Sequence, residues 1–165
     1  MARRTGFALK EGEGGIAEIY FRGTKIAVKV SNEVSEGKYT LFEMVPPPNV
    51  GPALHIHPNA PEAYYVLEGE YKIEFGKDKE EKEQIHHAKK GDFVFIPKGM
   101  EHKYQSGPAG GKVLVISPAG LENYFAEVAD ILTVDSDIID WEREKEIAHR
   151  YGQEFLESLK HWGGK

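Results

Sequence analysis

The stretch GPALHIHPNAPEAYYVLEG (residues 51–69) contains the residues from which the fold is predicted. His55 and His57 are two positions apart in a segment with strand character, so both side chains are expected on one face of that strand. The turn PNAP that follows is expected to bring the next strand back alongside the first. Glu62 and Tyr64 then share a face, and the two strands together predict a cluster of imidazole and carboxylate donors.

A second stretch, GDFVFIPKGMEHKYQS (91–106), is expected to supply a third imidazole. The turns Gly91-Asp92 and Pro97-Lys98-Gly99 border one strand, and His102 opens the next. The sequence has no cysteine, which excludes thiolate ligands and leaves nitrogen and oxygen donors. A divalent metal ion needs such donors to converge at about 2 Å. The two stretches therefore predict a metal site made of His55, His57, Glu62 and His102, with room for water or substrate.

Most of the chain has the pattern of short strands. Segments with alternating apolar residues are separated by Gly, Pro, Asn and Asp, and no helical period lies between them. This pattern indicates an antiparallel sandwich or barrel, because a parallel sheet would need crossover helices. The predicted strands are 16–21, 25–31, 39–45, 53–57, 62–69, 71–76, 92–97, 102–106 and 112–117.

Helical periodicity begins after the last predicted strand. Apolar residues at three- and four-residue intervals predict a helix over 121–132. A second helix is predicted over 141–159, although Gly152 interrupts its pattern. The predicted division is therefore a β-barrel domain at residues 1–118 and a C-terminal helical extension at 119–165, packed on the barrel.

Composition limits the classes of function. The chain has 165 residues, 40% of them hydrophobic and 29% charged, with a formal net charge of −6. Such a surface mixes both signs of charge and has no footprint typical of nucleic-acid or membrane binding. No apolar segment reaches the roughly 20 residues that cross a bilayer. The first residues lack the apolar core of a signal peptide, so a cytoplasmic location is expected.

The two stretches quoted above resemble the two motifs of the cupin superfamily. The first motif is matched at Gly51, His55, His57, Glu62 and Gly69, and the second at Gly91, Pro97, Gly99 and His102. Ser106 stands where the second motif has asparagine, a position that is not a ligand. The resemblance implies an all-β fold, a double-stranded β-helix or jelly roll, with the metal site in the barrel mouth and formed within residues 51–106.

Within this superfamily the chain resembles single-domain proteins related to quercetin 2,3-dioxygenase, in HIHPNAPEAYYVLEGEYKIEFG, GDFVFIPKGMEH and PAGLENYFAEV. The resemblance implies a ring-cleaving dioxygenase with one divalent transition metal ion, and the donor set accepts Fe, Mn, Ni, Co, Cu or Zn. Glu62 would be a metal ligand, a general base, or both. Two alternatives remain open. One is a non-catalytic cupin that binds a small molecule through its metal; the other is a metal-assisted isomerase of a sugar or keto acid, which would need Lys or Arg inside the barrel.

The partners expected are a small aromatic or apolar substrate and a second copy of the chain, because segments 16–21 and 25–31 could pair across a two-fold axis. The remaining histidines, at positions 86, 87, 149 and 161, are expected on the surface. Strand parity and the period of the first tail helix suggest the residues that line the substrate pocket. They are Phe42, Met44, Tyr64, Val66, Tyr104 and Phe125.

Overall fold

The structure is a computed structural model that describes residues 6–77, 82–135 and 140–157. Within these ranges the chain forms nine strands and two helices. The strands are β1 (Ala17–Phe21), β2 (Thr24–Val30), β3 (Thr40–Val45), β4 (His55–Ile56), β5 (Glu62–Lys77), β6 (Glu83–Lys89), β7 (Phe93–Ile96), β8 (His102–Ser117) and β9 (Glu154–Phe155). The helices are α1 (Leu121–Asp135) and α2 (Trp141–Arg150), which lie between β8 and β9.

The strands pair antiparallel throughout, and β5 and β8 each run through two parts of the sheet. The first half of β5 pairs with β7 and with the second half of β8, which continues to β3, β2 and β1. The second half of β5 pairs with β6 and with the first half of β8, whose first residue pairs with β4 and, through it, β9. This is the jelly roll expected from the sequence.

Strand continuity differs from the sequence prediction. The predicted strands 62–69 and 71–76 are one 16-residue strand, and 102–106 and 112–117 are another. Register shifts on either side of the Gly69–Gly111 pair bend both strands without ending them, and Gly69 takes a φ of 77°. β6 was not among the predicted strands, because its residues are almost all exposed and show no alternation.

The expected neighbour of the first histidine strand was wrong. The PNAP turn does not pair β4 with β5; β4 pairs with β8 and β9 instead. A short turn between two strand segments indicates a hairpin, but here the chain crosses from one part of the barrel to another. Glu62 lies opposite Ile96 of β7.

Helix α1 closes one end of the barrel with an apolar face. Leu121, Tyr124, Phe125 and Val128 are buried, and the ring of Phe125 packs edge-on against Phe42 with centroids 5.6 Å apart. The helix predicted over 121–132 begins where expected and extends to Asp135. The helix therefore contributes residues to the same interior as the strands.

Helix α2 is shorter than predicted, which corrects the expected 141–159 helix. It ends at Arg150, and Gly152 adopts a φ of 74° that favours glycine and turns the chain out of the helix. The next residues form β9, which pairs with β4. The tail is thus partly a strand of the barrel sheet, and residues after 157 lie outside the described part. The division of the chain at residue 118 stays a prediction.

The expected dimer would need a strand with an unpaired edge in the sheet. β1 is the terminal strand of the order, whereas β2 already lies between β1 and β3. The prediction that both segments could pair with a second copy is therefore wrong for β2 and open for β1. In the described ranges, neither helix has the length and apolar content needed to cross a membrane.

Candidate metal centre

Three different strands bring the four predicted ligands together. His55 lies on β4 and pairs directly with His102, the first residue of β8, while Glu62 is the first residue of β5. His57 follows β4 by one residue and is buried like the others. One nitrogen or oxygen atom from each of the four side chains lies within 4.8 Å of the others. The sequence prediction of a converging donor set is thus reproduced in space.

Backbone carbonyls orient the three imidazole rings. The Nδ1 atom of His55 lies 2.8 Å from the carbonyl of Ala53, and Nδ1 of His102 lies 2.9 Å from that of Met100. Nδ1 of His57 makes a longer contact of 3.4 Å with the carbonyl of Gly152. Because a carbonyl only accepts, these contacts favour the tautomer with the proton on Nδ1. Each ring then presents the lone pair of Nε2, as a metal ligand must.

Hydrogen-bond donors hold the carboxylate of Glu62. The hydroxyl of Ser117 donates to Oε1 at 2.6 Å, and the hydroxyl of Tyr64 donates to Oε2. Although burial alone would raise the pKa of Glu62, the neighbouring imidazoles of His57 and His102 hold it well below its usual range. Burial, followed by the negative charge of Glu62, raises the pKa of Tyr64 well above its usual range, so this phenol remains a donor.

The electrostatics of the cluster fit a bound cation. Nε2 of His102 lies 2.9 Å from Oε2 of Glu62, so in the Nδ1–H tautomer a lone pair faces a carboxylate oxygen. Nε2 of His57 lies 3.4 Å from the same oxygen, makes no hydrogen bond, and is buried. Burial, and then the nearby His102 and His57 rings, lower the pKa of His55 well below its usual range, which keeps its lone pair free. The buried cluster is compatible with a single divalent metal ion, which would satisfy all four groups.

A small cavity opens beside the cluster. Its volume is about 20 Å³, space for about one water molecule. Four of the six predicted pocket residues line it, namely Met44, Tyr64, Tyr104 and Phe125, together with the ligands His55 and Glu62. The other lining residues are Pro52, Val115, Leu121 and Gln153. Phe42 and Val66, although buried as parity suggested, belong to the surrounding core and not to this lining.

Close backbone packing explains two further motif positions. A Cβ atom on Gly51 would lie 1.6 Å from the carbonyl oxygen of Tyr104, so only glycine allows β8 to approach the loop that leads to β4. Ser106 is buried, and its hydroxyl donates to the carbonyl of Pro47 and accepts from the backbone N–H of Val50. Serine therefore fixes the same loop to β8 at the position where the motif has asparagine.

Sequence reasoning missed the contribution of the tail to this site. Gly152 supplies the carbonyl that faces His57, and Gln153 lines the cavity. In the β4–β9 pair His55 lies opposite Phe155. If this register is extended by two residues, Gln153 lies across from His57. Gly152 could have indicated the end of helix α2, because a glycine after a basic helical turn is typical of a helix end. The prediction treated it as an interruption.

The other histidines lie away from the cluster. His86 and His87 on β6 and His149 on α2 are exposed, as predicted. His161 lies outside the described residues.

Comparison with known proteins agrees with this architecture. A family model described as the cupin domain matches residues 41–117. No curated protein sequence matches the chain. An RmlC-like cupin from Shewanella frigidimarina is similar in structure, with a TM-score of 0.56 and 21% identity over 72% of this chain and 96% of that one. KdgF from Halomonas sp. has a TM-score of 0.56 and 14% identity over 72% of this chain and 99% of that one.

An oxalate decarboxylase from Bacillus subtilis, in mutant form, has a TM-score of 0.53 and 20% identity over 63% of this chain. The match spans only 28% of that protein. At these identities the likeness concerns the fold alone. The family match, the jelly-roll topology and the buried His/Glu cluster on the two motifs agree that residues 41–117 are similar to a cupin domain.

Proposed function

We propose that this protein is a metal-dependent dioxygenase that acts on a small, uncharged enol. The observation that carries the proposal is the chemical character of the cavity beside the four donors. Among the described residues that line it, none is Lys or Arg, and most are apolar or phenolic. An isomerase of a sugar or keto acid would need Lys or Arg inside the barrel to hold an anionic group, so this lining favours the dioxygenase over the isomerase alternative.

The size of the cavity favours a small substrate. About 20 Å³ beside the metal centre is space for about one water molecule, so any substrate must displace part of the lining, and a small enol displaces the least. A polycyclic flavonol would require Phe125 and Gln153, which stand on α1 and on the tail, to move away from the donors. The proposal therefore keeps the dioxygenase chemistry suggested by the resemblance and changes the expected substrate from a flavonol to a smaller molecule.

The residues of the chain have distinct tasks in this proposal. His55, His57, His102 and Glu62 would hold the metal ion, which when bound would supply Lewis acidity toward the enol oxygen. Among the described residues of the lining Glu62 is the only acidic one, so it would also take up the enol proton. It would do so by giving up the hydrogen bond from Tyr64. The apolar walls exclude water and so protect reactive species from side reactions.

Oxygen uptake tests the proposal. The purified protein is stripped with a chelator, reloaded separately with each of Fe, Mn, Co, Ni, Cu and Zn, and supplied with pentane-2,4-dione or with quercetin. We expect uptake with at least one metal, faster with the dione, and both atoms of labelled dioxygen in the products. His57→Ala should lose metal and activity, whereas His87→Ala, the same change at an exposed histidine, should retain both.

Two results would oppose the proposal. Stoichiometric metal binding without oxygen uptake from either compound, under every metal, would support the non-catalytic alternative. Turnover of quercetin at a higher efficiency than the dione would contradict the argument from cavity size.

A further inference from the structure

Gln153 is a buried amide with no assigned task. Its side chain is 2% exposed and lines the cavity beside the metal centre. Its backbone N–H donates to the carbonyl of Ala148, but within the described residues the structure gives its side-chain amide no hydrogen bond. A primary amide has two donors and an acceptor, and the side chain of Gln153 borders the cavity, where a ligand could pair with them. The position is therefore one that a bound molecule would complete.

The tail holds Gln153 in place by backbone and side-chain contacts. The backbone N–H of Leu156 donates to the carbonyl of Leu54 at 2.8 Å, and the carboxylate of Glu157 accepts from the N–H of Leu54 at 2.8 Å. The ring of Phe155 lies 6.1 Å from that of His55. These contacts join the tail to β4, the strand that carries His55. The tail segment that carries Gln153 is thus joined to the strand that carries His55.

A second polar group lines the same cavity. The hydroxyl of Tyr104 has a single weak contact of 3.5 Å, with the sulfur of Met44. The hydroxyl of Tyr64, in contrast, is committed to Glu62. Gln153 and Tyr104 are therefore the two groups of the lining with hydrogen bonds left to offer a ligand.

The geometry points to Gln153 as a specificity-determining residue that donates a hydrogen bond to the second oxygen of a substrate whose first oxygen occupies the metal centre. This inference rests on the proposed function and deepens it, because it restricts the substrate class to molecules with two oxygens in 1,2 or 1,3 relation. A substrate with one oxygen would leave the amide unpaired and so bind less well.

Ligand titration of the cobalt-loaded protein tests the inference without turnover. The visible absorption of the bound cobalt is followed, under nitrogen, during titration with pentane-2,4-dione, which has two oxygens, and separately with azide, which has none. Gln153→Met keeps the volume of the side chain and removes its donor. Gln84→Met makes the same change at an exposed position of β6 and is the matched control.

We expect Gln153→Met to bind cobalt at wild-type stoichiometry, to bind the dione about fivefold more weakly, and to bind azide as the wild type does. Gln84→Met should match the wild type with both probes. Equal dione affinity in Gln153→Met and wild type would overturn the inference, as would a wild-type protein that binds cobalt and azide but not the dione. An equal loss for both probes would also overturn it, because it would show a general effect on the metal centre. Failure of the proposed dioxygenase activity alone would appear only as absent oxygen uptake.

Discussion

The hydroxyl of Ser117 offers a direct test of how the chain holds the carboxylate of its metal centre. It is buried and donates to Oε1 of Glu62 at 2.6 Å. The substitution Ser117→Ala removes that donor and leaves a buried carboxylate oxygen without it. A hydrogen bond to a charged group contributes about 2 kcal/mol. With a urea dependence of about 2 kcal/mol per molar, the unfolding midpoint of the metal-free protein should fall by about 1 M.

The same substitution should weaken metal binding. Residues that hydrogen-bond a ligand typically change metal affinity by about 10- to 100-fold when they are removed. Ser106→Ala is the matched comparison, since Ser106 is equally buried but bonds only backbone groups of the loop before β4. It should lower stability while leaving metal affinity within about twofold of the wild type.

Two measurements decide between these expectations. Urea unfolding followed by circular dichroism in the presence of chelator gives the stability of the metal-free forms, and competition with a chromophoric chelator gives the affinity for zinc. The reasoning would be refuted by Ser117→Ala protein with wild-type zinc affinity. It would be refuted equally by a Ser106→Ala protein that loses as much affinity as Ser117→Ala.

Three further expectations concern the tail, the second helix and the oligomer. Glu157→Ala removes a contact between the tail and β4, so hydrogen exchange at the amide of Leu156 should become about fivefold faster. Glu146→Ala, a change at an exposed position of α2, should leave that exchange rate unchanged. Equal exchange rates in the two variants would contradict this expectation. Glu144→Gln should lower the free energy of unfolding by about 2 to 3 kcal/mol, because Arg22 loses its bidentate carboxylate partner. Glu142→Gln, on the exposed face of α2, should change the free energy of unfolding little. Similar urea midpoints for the two variants would contradict this expectation. Light scattering should give the mass of a homodimer joined at β1, and a monomeric mass would remove that prediction.

Local patterns were enough to predict which residues meet at the metal centre. Two-residue periodicity placed His55 with His57 and Glu62 with Tyr64 on inward faces, because strand parity is a local property of the backbone. Together with the period of the first tail helix, it also suggested four residues that line the cavity. Parity states only that a side chain points inward, however, and does not state how far along the interior it lies. Phe42 therefore faced inward as expected but lies outside the cavity lining.

The remaining differences come from contacts between distant parts of the chain. Residues 153–157 have a composition compatible with a helix, and their pairing with β4 depends on a strand about a hundred residues earlier. Likewise, PNAP has the composition of a hairpin turn, but β8 and β9 take both sides of β4. Tertiary pairing overrides such local preferences, so Gln153 could not be assigned to the site from its own neighbourhood.

The contact between His57 and the carbonyl of Gly152 has a consequence for the order in which the site is assembled. The ribosome has added all four donor residues once it reaches His102, long before it adds Gly152. A nascent chain can therefore present a donor set whose second imidazole still lacks its carbonyl partner. A metal ion bound at that stage would be enclosed when the tail pairs with β4, whereas an ion offered to the finished protein would meet a centre whose His57 already contacts Gly152. Loading during synthesis and loading after release are thus two separate routes into one centre.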